Sequence, residues 1–302
     1  MEEVYFNSGG KRCAGDLYLP KDLKAGERRA ALVMGHGFSL VKSMLTEQAA
    51  CFQAAGFVVL AIDYRSFGNS EGEIRGELFP LNQAEDFRNG ISYLQSREDV
   101  DPDRIGLWGA SFAGAGVTYS SAIDRRAKAT VAVVPVFDGF RWMKLLRSEL
   151  QFEELLDAVE ADRVQRDKTG KSARIPVVAA PGELCGMPLG QDIIDFFAAA
   201  KDYHPTWADT ITLESIERIL EYSPLSFVHR VSPRPYMIIS TSGYDIVHPA
   251  WSVAELFNAA REPKRLEFLP FNQIGLYSEP GLTISNNLAR DFFIEKLGQP
   301  AE

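Results

Sequence analysis

One serine stands out by the company it keeps. In Ile105-Gly106-Leu107-Trp108-Gly109-Ala110-Ser111-Phe112-Ala113-Gly114, an apolar strand pattern runs into small residues around Ser111, and a helical pattern over Phe112–Ile123 follows at once. A chain that turns this sharply from strand to helix strains its serine backbone, tolerates only small neighbours, and lifts Oγ to the carboxyl end of the strand. The helix N-terminus then offers unpaired N–H groups and the positive end of its dipole beside that oxygen. Ser111 is therefore a candidate nucleophile. The usual spacing is G-x-S-x-G; Ala113 stands at the second glycine, with Gly114 and Gly116 keeping the helix face slim. Small residues at such turns also serve plain packing, so a nucleophile needs further support, above all a base. The chain has four histidines to draw on: His36, His204, His229 and His248.

The elements around this serine follow from hydropathy patterning. Residues 4–6 and 13–19, joined through Ser8-Gly9-Gly10, read as an antiparallel pair. Continuous apolar runs at 30–34, 57–62, 104–108 and 129–136 alternate with helical patterns at 45–55, 81–96 and Phe112–Ile123. Runs buried on both faces and separated by helices require a mostly parallel sheet covered on each side. The rhythm breaks after Phe137. Helical stretches at 142–161 and 214–220 are interrupted at 175–180 and by Gly/Pro-rich sequence near 181–190. It resumes with a strand at 236–240, a helix at 250–260, a strand at 265–269 and a last helix at 284–297. The reading is one α/β core, residues 1–137 and 229–302, carrying a mainly helical insertion at 138–228.

Composition narrows the function. With 302 residues, 32 Lys+Arg against 41 Asp+Glu, and 46% hydrophobic residues, the chain is a globular protein with ample core. A net charge of −9 argues against tracking nucleic-acid phosphates or anionic membranes. The first residues lack a basic region and a long apolar run, and no apolar run reaches the length of a membrane span. Three scattered cysteines suit neither a disulfide frame nor a zinc site. The expectation is a cytoplasmic protein with a small-molecule substrate, no metal and no cofactor; a homodimer stays open.

Together these features resemble the α/β-hydrolase family over nearly the whole chain. The resemblance implies an eight-stranded, mostly parallel sheet with a cap inserted after the sixth strand. Met34-Gly35-His36-Gly37-Phe38 is similar to the family's His-Gly oxyanion loop, which implies that the Phe38 and Phe112 amides face a developing oxyanion. Asp63-Tyr64-Arg65-Ser66-Phe67-Gly68-Asn69-Ser70-Glu71-Gly72 resembles a family loop in which Asp63 and Arg65 brace that neighbourhood. Asp245, after the seventh strand, stands where the family carries its triad acid. Asp138, just after the sixth strand, is the alternative acid.

The family's histidine belongs after the eighth strand, in a loop that in a subgroup of polyketide transferases and bacterial esterases reads like G-H-F-D-L-Y. Here the loop is Phe271-Asn272-Gln273-Ile274-Gly275-Leu276-Tyr277, and Gln273 occupies the histidine position. A glutamine amide holds hydrogen bonds but cannot exchange a proton near neutrality. The sequence therefore suggests a base-less, inactive or substrate-trapping acyl hydrolase for carboxylic esters or thioesters. Alternatives are a non-hydrolytic enzyme on the same scaffold (acyltransferase, cyclase, lyase or isomerase) or a catalytically dead ligand-binding relative. Among possible stand-ins, His248 is expected to begin a helix and point poorly at Ser111, His204 would have to descend from the insertion, and His229 reads as structural. His36, Trp142, Met143 and Trp207 are the expected substrate-binding residues, and the apolar insertion implies a largely apolar pocket.

Overall fold

The computed structural model describes residues 1–298. A hairpin of β1 (Glu2–Ser8) and β2 (Lys11–Tyr18) leads into β3 (Arg29–Gly35), α1 (Thr46–Ala54), β4 (Val58–Ile62), α2 (Pro80–Gln95), β5 (Val100–Ala110), α3 (Phe112–Ile123) and β6 (Ala129–Val133). The next segment carries α4 (Gly139–Leu145), α5 (Glu149–Thr169), β7 (Arg174–Pro176), α6 (Gln191–Tyr203), β8 (Thr210–Thr212) and α7 (Leu213–Leu220). The chain then returns with β9 (Tyr236–Thr241), α8 (Ala250–Ala259), β10 (Lys264–Leu269), α9 (Gln273–Leu276) and α10 (Gly281–Leu297).

Eight strands form one sheet in the order β1-β2-β4-β3-β5-β6-β9-β10. The β1–β2 and β2–β4 pairs are antiparallel, and every pair from β4 to β10 is parallel. Alternate residues of one strand enter opposite cores, as the two-residue period demands. Ala31 and Val33 of β3 join Phe87 and Ile91 of α2 on one face, while Leu32 and Met34 join Phe52 of α1 and Phe293 of α10 on the other. With β3, β4 and β6 buried along their whole length, only helices on both faces could cover this sheet.

Several boundaries depart from the sequence expectations, each for a local reason. The strand expected to Val136 stops at Val133, because Val134 takes a positive φ of 40° and Pro135 follows. The single helix expected over 142–161 is two helices; Ser148 and Gln151 form a capping box that starts α5 afresh. Helix α6 was hidden behind the turn-rich sequence that precedes it, yet Ile193, Phe197 and Ala200 bury at the i, i+4, i+7 spacing of a helix face.

Candidate active site

Ser111 sits between the end of β5 and the start of α3 with φ 57° and ψ −118°. A non-glycine residue in such a conformation costs about 1–3 kcal/mol, so the surroundings must enforce it. They do: the Ser111 N–H donates to the Val133 carbonyl at 2.8 Å, and the Ser111 carbonyl accepts from Ala115 and Val136. Glycine is required at 109, where a Cβ would run into the Ala113 carbonyl. Gly37 lies on the other side, where a Cβ would rest in ordinary van der Waals contact, 3.5 Å from Ser111 Cβ.

The Ser111 Oγ is 2.9 Å from Nε2 of His248. This overturns the expectation that His248 points away and that the site lacks a proton acceptor. The loop from β9 folds back on itself before α8 begins at Ala250, so the imidazole reaches the serine before the helix sets its own direction. Asp245 makes that turn: its Oδ1 accepts the Val247 and His248 amides at 2.9 Å each, and its Oδ2 accepts the Gln273 amide at 2.8 Å. Trp142 Nε1 donates to the Val247 carbonyl at 2.9 Å, pinning the loop from the α4 side. Burial pushes the pKa of His248 down to about 4, against smaller upward pulls from the Asp245 carboxylate and the Gln273 side chain. The ring is thus neutral at pH 7 and able to accept a proton.

Phe38 and Phe112 flank the serine with their rings 5.8 Å apart, and Trp142 lies 5.8 and 5.9 Å from the two. Three buried aromatic rings thereby fix the backbone of both residues. Neither the Phe38 nor the Phe112 N–H donates to a backbone acceptor among the described residues. Asp63 is buried and accepts the Lys42 and Asn69 amides at 2.7 and 2.9 Å, tying the turn after Phe38 to the loop after β4. Arg65 is held by the buried Asp86 carboxylate, with a closest approach of 2.6 Å.

The remaining candidates fall elsewhere. His36 does not line the site: it is fully buried against Tyr64, ring centroids 4.4 Å apart, and desolvation lowers its pKa to about 3. Trp142 buttresses the loop and the two phenylalanines, and Met143 is buried in the core beside Arg147. Trp207 donates to the Ser39 carbonyl at 2.6 Å and packs on Phe197. Asp138 caps α4, its Oδ1 accepting the Arg141 amide at 3.0 Å, and makes no hydrogen bond to His248 or Ser111 among the described residues. His204 bonds Ser43 at 2.7 Å, and His229 lies in the turn Val228–Arg230. The segment between β6 and β9 contributes Met187, Ile193, Phe196 and Phe197 to the chamber. Their apolar character was visible in the sequence, but nothing there separated pocket-lining residues from the segment's own core.

The chamber at Ser111 holds about 30 Å³, roughly one water, between Phe38, Leu40, Gln273, Ile274 and Tyr277. It shares Gly37, Leu40, Phe196 and Tyr277 with a neighbouring cavity of about 320 Å³ that extends between Met44, Trp108 and Leu282. A larger cleft of about 410 Å³, around Phe79 and Arg218, includes none of Ser111, His248 or Phe38.

A mostly parallel eight-stranded sheet with a strained serine at a strand-to-helix turn defines an α/β hydrolase. The chain belongs to the X-Pro dipeptidyl-peptidase (S15) family, whose model matches residues 9–272. It is 30% identical over 276 residues to the thiohydrolase aneE of Aspergillus aculeatus, covering 88% of this chain and 84% of that one. It is 27% identical over 247 residues to the polyketide transferase grgF of a Penicillium species, covering 81% of each. The crystal structure of the α/β hydrolase GrgF from Penicillium sp. sh18 superposes with a TM-score of 0.82 at 24% identity, over 98% of both chains. Among the described residues no helix is long and apolar enough to cross a membrane.

Proposed function

We propose that this protein is a serine acyl hydrolase for carboxylic esters or thioesters with an apolar acyl group, and that it works with His248 as its base. The observation that carries the reading is the 2.9 Å approach of His248 Nε2 to Ser111 Oγ. As Oγ attacks the acyl carbonyl, its proton passes to Nε2, and the carbonyl oxygen becomes an oxyanion facing the Phe38 and Phe112 amides. Collapse breaks the bond to the leaving oxygen or sulfur, which takes the proton back from the imidazolium. Water, deprotonated by the same nitrogen, then releases the acid and frees Ser111. Residues 138–228 act as a cap whose Met187, Ile193, Phe196 and Phe197 give the chamber its apolar roof. The neighbouring 320 Å³ cavity suits the acyl chain, reached past Leu40 and Phe196.

Similarity to a protein named a thiohydrolase supports thioesters within this class. Similarity to a polyketide transferase supports a second reading, in which an alcohol or amine replaces water as acyl acceptor. The test is a panel of p-nitrophenyl esters, acyl thioesters and an X-Pro p-nitroanilide, run on the protein and on Ser111→Ala and His248→Ala. Turnover of esters or thioesters that both substitutions abolish is the expected result. Turnover that survives either substitution refutes the reading.

A further inference from the structure

We propose that the side-chain carbonyl of Gln273 is the positioning partner of His248, accepting its Nδ1–H so that Nε2 stays free for the Ser111 proton. This rests on the reading of Ser111 and His248 as nucleophile and base. An imidazole that receives a proton at Nε2 must carry its resting proton at Nδ1, and a buried N–H requires an acceptor.

The usual acceptor is not in position. Asp245 Oδ1 already takes two backbone amides and Oδ2 a third, and Oδ1 stands 4.0 Å from His248 Nδ1, beyond hydrogen-bond reach. Two buried polar atoms in this site lack a hydrogen-bond partner among the described residues, His248 Nδ1 and Gln273 Oε1; they are not bonded to each other in the structure as it stands, and a small shift of the Gln273 side chain is what would join them. One is a donor and the other an acceptor. The opposite end of the Gln273 amide, Nε2, donates to the Tyr277 hydroxyl at 3.3 Å, which fixes the carbonyl as the end left for the ring. The Gln273 side chain also favours the charged form of His248, as an acceptor at Nδ1 does. The two jobs of a triad acid are thereby divided. Gln273 selects the tautomer, while Asp245 shapes the loop and supplies negative charge from 4.0 Å.

The division is tested on Gln273→Leu and Gln273→Glu, with three readouts: p-nitrophenyl butyrate kinetics, the rate of fluorophosphonate labelling of Ser111, and the ¹⁵N shifts of His248. Gln273→Leu is expected to lower kcat and the labelling rate about 10²- to 10⁴-fold with little change in KM. It should also erase the Nδ1–H tautomer preference in the ¹⁵N spectrum. Gln273→Glu should keep that tautomer and move the acid limb of kcat/KM upward by about one pH unit or more, because a carboxylate stabilises the imidazolium. Thermal melts check that both variants are folded. A Gln273→Leu protein that labels as fast as its parent overturns the proposal, as does a folded Gln273→Glu protein with an unmoved limb. Retention of turnover in Ser111→Ala or His248→Ala instead sinks the underlying serine–histidine reading, whatever position 273 does.

Discussion

Lowering the pH separates a buried base from an ordinary one. His248 must be neutral to accept the Ser111 proton, and burial holds its pKa at about 4 where an ordinary histidine has 6.5. At pH 5.5 an ordinary histidine is only about one tenth neutral, whereas one with a pKa near 4 is about 97% neutral. The kcat/KM for p-nitrophenyl butyrate, read as total nitrophenol in quenched aliquots between pH 4 and 8, should therefore stay nearly flat down to about pH 5. Protonation also acts on folding. A histidine whose folded pKa is depressed stabilises the native state above its unfolded pKa, and that contribution is lost as pH falls toward the folded value. His248 and His36, at about 4 and about 3, both act in this direction, so the melting temperature should drop between pH 6.5 and 4. Rates are thus compared only where circular dichroism reports a folded protein. An acid limb centred near 6.5 in folded protein would show that the acting base is exposed, and would refute the role given to the buried ring.

Other outcomes follow from the same geometry. Ser111→Ala should lower turnover by about 10⁴-fold or more while leaving the melt unchanged or raised, since it removes the nucleophile; active-site titration checks it. Trp142→Phe keeps an aromatic side chain but trades the indole for a smaller phenyl ring and deletes the N–H that holds the Val247 carbonyl; it should cost about 1–3 kcal/mol in urea unfolding and lower kcat more than it changes KM. Arg65→Ala strands the buried Asp86 carboxylate and should destabilise by about 3–5 kcal/mol, with activity per folded molecule retained. Phe196→Ala opens the wall between the chamber and its neighbouring cavity; the preferred acyl chain should lengthen in a p-nitrophenyl ester series.

The sheet, its crossovers and the serine turn were legible in the sequence because each depends on residues close together in the chain. Alternating apolar runs fix which strands are buried, and the small residues around Ser111 fix the strained turn within a few positions. The pairing of Phe38 with Phe112 was also foreseeable, since both lie at the ends of adjacent strands, β3 and β5. The partner of the serine was not. Counting from the eighth strand finds Gln273 and no histidine, and the sequence alone then suggests a site without a base.

Tertiary structure decides otherwise, because the direction of His248 depends on bonds across long separations. Trp142 reaches Val247 over 105 residues, Asp245 reaches the Gln273 amide over 28, and His248 reaches Ser111 over 137. No local pattern encodes those distances. The sequence by itself determined the frame, the serine and which residue types were available. Only the packed loops determined which histidine faces the nucleophile, for a side chain's direction is set by the hydrogen bonds that hold its backbone.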